Sequence, residues 1–309
     1  MARYGIGGRR RSPYGWVLLD RGRDRAETGY RTVSMAMPAP AAIEMNVVLF
    51  QPSQRRAPAA PPEPPRRDIA GVPVAALSRQ EALALIEHAF EERSHLQLAY
   101  CNANLVNIAA REAGLRERLA GFLVLPDGIG VDIASRLLYG AAFPANLNGT
   151  DFTPAILAAR RRPLRVMLLG GRPGVAERAA ARLAADYPQH RFAVLSHGYF
   201  APQDEAALLA RLERERPDLL LVAFGNPRQE HWIADRIDGR HCTVAAGIGA
   251  LFDFLAGEVA RAPETFRTLR IEWLYRLWLE PRRLWRRYVV GNPAFLLRVL
   301  RQKLARRSA

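Results

Sequence analysis

The chain has 309 residues, 49% of them hydrophobic, enough for one large domain or two small ones. A net charge of +15 suggests an anionic partner, but residues 71–260 balance 20 arginines against 21 acids, so the excess lies at the two ends. Two cysteines exclude a disulfide framework, and no stretch approaches the roughly 20 apolar residues of a membrane span.

In chain order, residues 1–68 are rich in Arg, Pro and Ala ("PAPAA", "APAAPPEPPRR"). Such a composition buries too little apolar surface to offset the entropy of ordering it, and disorder is expected there. The first 25 residues lack a sustained apolar core, so no signal peptide is expected and a cytoplasmic protein is anticipated. From 69 to 262 the punctuation becomes regular. "LSRQEALALIEHAFEERS" offers Ser78 as N-cap and a helical period through Ala82, Leu85, Ile86 and Phe90. "LQLAYC" reads as a strand, "NANLVNIAAREAGLRERLAG" as a helix, and "FLVLPDG" as a strand ending in a turn. Helices are predicted in "GVDIASRLLYG" and "DFTPAILAARR", and strands in "LRVMLLGG", "RFAVLSHG", "DLLLVAFG" and "CTVAAGIG" with helices between them. Strands alternating with amphipathic helices imply an α/β fold, a Rossmann-like parallel sheet covered on both faces. In such sheets ligands bind beyond the strand carboxyl ends.

Polar groups collect at those ends: Asn102, Asn104, Asp127, Gly170, Gly171, Asn226, Arg228, Gln229, Gly247 and Gly249. Asp127 lies in "LPDGIG", where Pro-Asp-Gly is turn chemistry. A carboxylate there is also well placed as a general base, and the local sequence leaves both roles open. The Gly170-Gly171 turn leads into a helix whose free N–H groups suit phosphate. It is neither a G-x-G-x-x-G nor a Walker motif, and Ser196-His197-Gly198 supplies no acid for a ribose, which disfavours a dinucleotide-dependent oxidoreductase. Pro227 and Glu230 fit the start of a helix. Gln229 is not explained by capping and is expected to face the cleft. Arg261 reads either as an ion-pair member or as a phosphate contact. The histidines show no metal-ligand spacing, so neither metal nor cofactor is expected.

Residues 263–309 are read as a helical, basic appendage with 13 basic residues against 3 acids when counted from Arg261. Arg282 and Arg286, like Arg283 and Arg287, are four apart, so a helix after Pro281 gathers them into one basic stripe. Arginine suits phosphate, and aromatic-plus-basic helices favour anionic membrane interfaces. Nucleic acid is the least favoured partner, since no recognised binding motif accompanies the charge.

"NANLVN", "PDGIGV", "NGTDF", "GNPRQEHWI", "GIGALFDFLAGEVARAP", "EWLYRL" and "EPRRLWRRY" occur in this order. Over about residues 70–298 the chain resembles the WecG/TagA/CpsF family, glycosyltransferase family 26. The resemblance implies an inverting, metal-independent transferase moving a sugar from a UDP-sugar to a polyprenyl-diphosphate-linked sugar. It further implies a Rossmann-like domain and an appendage associated with membrane docking; from its own residues the segment is expected to lie peripherally on the inner membrane face and bring some of Arg282, Arg283, Arg286 and Arg287 to the lipid diphosphate. By position the family's base matches Asp127, its strand-end asparagine matches Asn104, and its active-site glutamine matches Gln229. Asn102 stands where the family commonly has threonine, and Asn146 where it commonly has arginine. "NLNGTDF" is similar to members that add glucose, so UDP-glucose is the expected donor, with N-acetylmannosaminyl or uronosyl transfer as the alternative. Homo-oligomer formation is left open.

Overall fold

The computed structural model describes residues 17–19, 30–36, 45–50, 63–263, 266 and 272–308. The chain divides into two compact units, 1–62 and 63–309. Within the first, β1 (Val17–Leu19), β2 (Tyr30–Ala36) and β3 (Met45–Phe50) form an antiparallel meander, with Val17 opposite Ala36 and Tyr30 opposite Phe50. The described residues of this unit are paired strands. The short runs "YRTVSMA" and "MNVVLF" have strand-forming residues that a regional average hides.

The second unit starts earlier than residue 69. β4 (Arg66–Ile69) and β5 (Val72–Ala75) are a hairpin turned by Ala70 and Gly71, both at positive φ. Then follow α1 (Arg79–Glu92), opened by a Ser78–Glu81 capping box, and β6 (Leu96–Cys101). The single helix expected over 102–121 is two, α2 (Ala103–Ala109) and α3 (Ala113–Ala120). The break lets Leu105 and Leu115 both reach the same core. Next come β7 (Leu123–Pro126), α4 (Ile129–Tyr139), α5 (Gly149–Ala159), β8 (Arg165–Gly170), α6 (Val175–Asp186) and β9 (Arg191–Ser196). The remainder of the sheet is built by α7 (Glu205–Glu215), β10 (Leu219–Ala223), α8 (Arg228–Arg236), β11 (Val244–Gly247) and α9 (Leu251–Leu255).

The eight strands lie in the order β4-β5-β7-β6-β11-β10-β8-β9, all parallel except the hairpin pair. Successive residues of β10 feed opposite cores: Leu219 and Leu221 face one, Leu220 and Val222 the other. α1, α5, α6 and α9 cover the first face, and α2, α3, α4, α7 and α8 the second. After β6 the chain crosses to the second face and after the neighbouring β11 to the first. A crevice opens where the two connections part.

The C-terminal segment consists of α10 (Glu272–Leu279), α11 (Pro281–Trp285), a π-helical turn (Arg286–Val290) and α12 (Gly291–Ser308). α12 belongs to the body of the unit. It buries Phe295 and Val299 in the second core, and Asn107 donates to the Gly291 carbonyl at 2.7 Å. Gln302 donates to Asp68 at 2.8 Å and accepts from the Ala70 amide at 2.9 Å. The part before it, Glu272–Val290, buries only Leu284 among its described side chains. No helix among the described residues is long and apolar enough to cross a membrane.

Candidate active site

The crevice has two lobes. The smaller, about 280 Å³, lies on the α4 and α12 side, with Ile129, Ile133, Trp273, Tyr288 and Phe295 in its wall. The larger, about 720 Å³, runs past the ends of β11, β10 and β8 and is more polar, of a size for a nucleotide. Asn102, Asn104, Asp127, Thr150, Phe254, Arg276 and Arg287 line both and so mark the junction.

Asp127 reaches that junction because β7 ends at Pro126 and its amide donates to the Cys101 carbonyl of β6 at 2.8 Å. Asn102 is the N-cap of α2. Its Oδ1 accepts from the Asn104 and Leu105 amides at 3.1 and 3.2 Å, which aims Nδ2 at Asp127 Oδ2, 3.1 Å away. Burial pushes the Asp127 carboxyl up from its ordinary value. The Asn102 hydrogen bond and the charges of Arg287 and Arg276 pull it down, and Asp151 pushes it up. The net direction is upward, toward a stronger base.

Asn146 lines the smaller lobe, but its Oδ1 accepts from the Gly128 amide at 2.8 Å and fixes the turn after Asp127. Asn148 caps α5 through the Asp151 amide at 2.9 Å. At Gly149 a Cβ would stand 2.9 Å from the Tyr100 ring, so this glycine lets α5 close onto β6. Local geometry thus accounts for "NLNG" without a ligand.

The glycine turn after β8 differs from expectation. Gly170 is outside the lining, and a Cβ there would meet the Ala223 carbonyl oxygen at 2.5 Å. Gly171 lines the larger lobe, but its amide donates to that same carbonyl at 3.1 Å. Gly170 permits close strand approach, Gly171 leaves room for the Val175 side chain, and the Gly171 N–H is committed within the protein.

Gln229 also differs. It opens α8 and lies at the wall of the larger lobe, yet it is only 2% exposed. Its Oε1 accepts from the Gly225 and Gly249 amides, each at 3.1 Å, tying the loops after β10 and β11 together. Its Nε2 donates to Glu230 Oε1 at 2.8 Å, and Asn226 Nδ2 donates to the same oxygen at 2.9 Å. A Cβ at Gly247 would stand 2.9 Å from Gln229 Nε2, so Gly247 makes room for the carboxamide. Glu230 is fully buried, and burial raises its carboxyl to about 7, against the lowering effect of the Gln229 hydrogen bond.

The arginines divide into two groups. Arg261 lies outside both lobes and pairs with Asp151; Arg172 and Arg178 both pair with Glu258. Arg276 and Arg287, from the C-terminal segment, line the junction and form no ion pair among the described residues. The Nε atoms of both are buried without a hydrogen-bond partner. Within the stretch expected as a basic stripe, Arg286 is exposed over Trp285 and Arg287 enters the cleft. Arg282 is exposed, and the Arg283 side chain lies outside the described residues.

Arg276, Glu272, Trp273 and Tyr288 were not singled out by sequence reasoning, yet all four line the smaller lobe. Arg276 does carry a signal: it is the lone cation in "EWLYRLWL". Glu272 is likewise pushed up by burial, opposed by the charges of Arg261 and Arg276.

The sequence model of the glycosyl transferase WecG/TagA/CpsF family matches residues 67–309. The chain is 34% identical over 184 residues to the N-acetylglucosaminyldiphosphoundecaprenol N-acetyl-beta-D-mannosaminyltransferase of Bacillus subtilis strain 168, an overlap of 58% of this chain and 69% of the relative. The protein of the same name from Bacillus spizizenii strain W23 is 36% identical over 186 residues, 59% of this chain and 69% of its own length.

Proposed function

The chain belongs to the WecG/TagA/CpsF family of glycosyl transferases, and from that premise we propose that it transfers an N-acetylmannosamine-type sugar from a UDP-sugar to a polyprenyl-diphosphate-linked N-acetylglucosamine, with inversion. The named activity of the relatives favours this donor over UDP-glucose. The expectation of glucose rested on "NLNGTDF", whose two asparagines have internal partners in Gly128 and Asp151 and so give no ground for a different sugar.

The observation that carries the mechanism is the half-buried Asp127, oriented by Asn102 where the two lobes meet. The acceptor hydroxyl attacks the anomeric carbon while its proton passes to the Asp127 carboxylate. The bond from that carbon to the UDP oxygen breaks on the opposite face, and UDP leaves with the electron pair. Negative charge then builds on the diphosphate. Arg276 and Arg287 meet it in a partly desolvated site where fixed charges act strongly. Gln229 is a positioning residue that holds the β10 and β11 loops in register.

Membrane docking is supported by the outer surface of the C-terminal segment. Trp278 is 76% exposed and Trp285 46%, with Arg282 and Arg286 exposed beside them. Such a surface suits the interface of an anionic leaflet and would bring the cleft to an acceptor anchored there.

The test is incubation with a panel of nucleotide sugars and polyprenyl-diphosphate-N-acetylglucosamine, reading UDP release and product. Transfer from UDP-N-acetylmannosamine is expected, and no transfer from any donor would overturn the proposal. Asp127→Asn is expected to lower kcat by about 10²–10⁴-fold while UDP binding stays within about twofold. Retained turnover would remove Asp127 from the base role.

A further inference from the structure

The smaller lobe carries a charge that the mechanism leaves unused. Three residues of the C-terminal segment line it and stay clear of the larger lobe: Glu272, Trp273 and Tyr288. Glu272 and Trp273 open α10, and Tyr288 comes from the π-helical turn. The Trp273 and Tyr288 rings meet at 5.5 Å between centroids with 51° between their planes, so they brace each other as an angled wall. Glu272 is half-buried, and its carboxylate takes part in no hydrogen bond or ion pair among the described residues. The charges of Arg261 and Arg276 act on it without contact, since Arg261 is closed by Asp151 and Arg276 lies at the junction. Withdrawing a carboxylate from water unpaired is costly, so this one favours a ligand that donates to it.

The sign of the charges sorts what can enter. Arg276 and Arg287 make the junction cationic, whereas Glu272 adds a carboxylate to the lobe beside it. A phosphate is drawn to the arginines and repelled by Glu272, so the group that fits within the lobe is uncharged and rich in hydrogen-bond donors. The volume of about 280 Å³ has room for one sugar ring with its substituents. An aromatic face carries the negative side of the ring quadrupole, which suits the C–H bonds on the flat side of a sugar. The lobe thus offers a ring wall for that side and a carboxylate for the hydroxyl edge. Asp127 takes the proton of the reacting hydroxyl, which leaves Glu272 for hydroxyls that do not react.

We propose that Glu272 determines acceptor specificity: its carboxylate accepts from a non-reacting hydroxyl of the acceptor sugar, whose C–H face rests on Trp273 and Tyr288. This rests on the polyprenyl-diphosphate-sugar reading above. Steady-state kinetics of the full chain test it, on polyprenyl-diphosphate-N-acetylglucosamine and on analogues that each lack one non-reacting hydroxyl. Glu272→Ala is expected to raise the acceptor KM and to lower kcat/KM by about 10–100-fold, the scale of a lost hydrogen bond to a charged group. The KM for the UDP-sugar is expected to stay within about twofold. On the deoxy acceptor that lacks the recognised hydroxyl, wild type should fall to the level of the variant, and the substitution should then cost no more than about twofold. Glu272→Gln keeps an acceptor oxygen and is expected to recover part of the loss. Trp273→Ala should weaken every acceptor severalfold, with Trp273→Phe close to wild type. Unchanged acceptor kinetics in Glu272→Ala would overturn the inference alone. So would an equal loss on every acceptor, which would make Glu272 a support of α10 or a second base. A wild-type chain that uses no polyprenyl-diphosphate sugar would overturn the acceptor reading and this inference together.

Discussion

The cleft is built from two unlike regions: the strand-end loops of β10 and β11, and the C-terminal segment Glu272–Val290. In the first, polar groups find partners inside the protein. Gln229 joins two backbone amides to Glu230, and Glu230 Oε1 also takes the Asn226 amide. Two of the nearby arginines, Arg172 and Arg178, are both closed by Glu258. In the second region Arg276 and Arg287 arrive without ion pairs, their Nε atoms buried and unpartnered, while tryptophans face outward. Burying such a donor unpaired is costly. The frame is therefore closed except at Glu230 Oε2, which is buried without a partner, whereas the segment brings two buried cationic donors that lack one. A self-satisfied network holds geometry, whereas unsatisfied cations supply binding and charge stabilisation.

Substituting each region should therefore fail in a different way. The largest effect is expected from Arg276→Ala combined with Arg287→Ala. Losing both charges at the junction should lower kcat by about 10²–10³-fold, with a melting temperature within a few degrees of wild type. A large loss of stability without a loss in kcat would reverse the contrast. Gln229→Ala should do the opposite to stability. It strands the Gly225 and Gly249 amides and costs about 3 kcal/mol, read as a lower urea midpoint, with activity falling only through loosened loops. A midpoint equal to wild type would show that the loops do not depend on this carboxamide.

Glu230 gives a pH test of the same frame. Its carboxyl is raised to about 7 by burial, so its charged form is disfavoured in the folded state. The stability it contributes is fully present below the ordinary carboxylate range and is lost as pH rises through about 7. Glu230→Gln keeps an acceptor for Asn226 and Gln229 but cannot ionise. Its advantage over wild type should grow between pH 5 and 8, to roughly 2–3 kcal/mol. Parallel stability curves would mean that Glu230 does not titrate in this window. The smallest structural effect is expected on the outer face of the segment. Trp278→Ser with Trp285→Ser should leave the fold and the turnover of a soluble acceptor analogue unchanged while lowering binding to anionic vesicles severalfold in a flotation assay. Vesicle binding equal to wild type would remove these tryptophans from the docking surface.

The alternation of apolar strands and amphipathic helices from Leu96 to Gly247 was legible in the sequence, because strand and helix periods are local. So was the place of Asp127, since a Pro-Asp-Gly turn after an apolar strand puts the carboxylate at the ligand-binding edge whatever surrounds it. The β4–β5 hairpin and the break between α2 and α3 escaped, being short and set in stretches whose average composition points elsewhere.

Tertiary structure decided which polar side chains face the cleft and which serve the scaffold. Gln229 and Asn146 stand among cleft residues in the sequence, yet each is bound to backbone amides brought near by other elements. Arg261 pairs with Asp151, 110 positions away. Arg276 reaches Asp127 only because α12 is seated on α2 and α4 and carries the preceding segment over the strand ends. Within the π-helical turn Arg286 is exposed and Arg287 lines the cleft. A residue's type and period fix its element and face, but its partner depends on which distant element lies opposite, and that is a property of the folded chain alone.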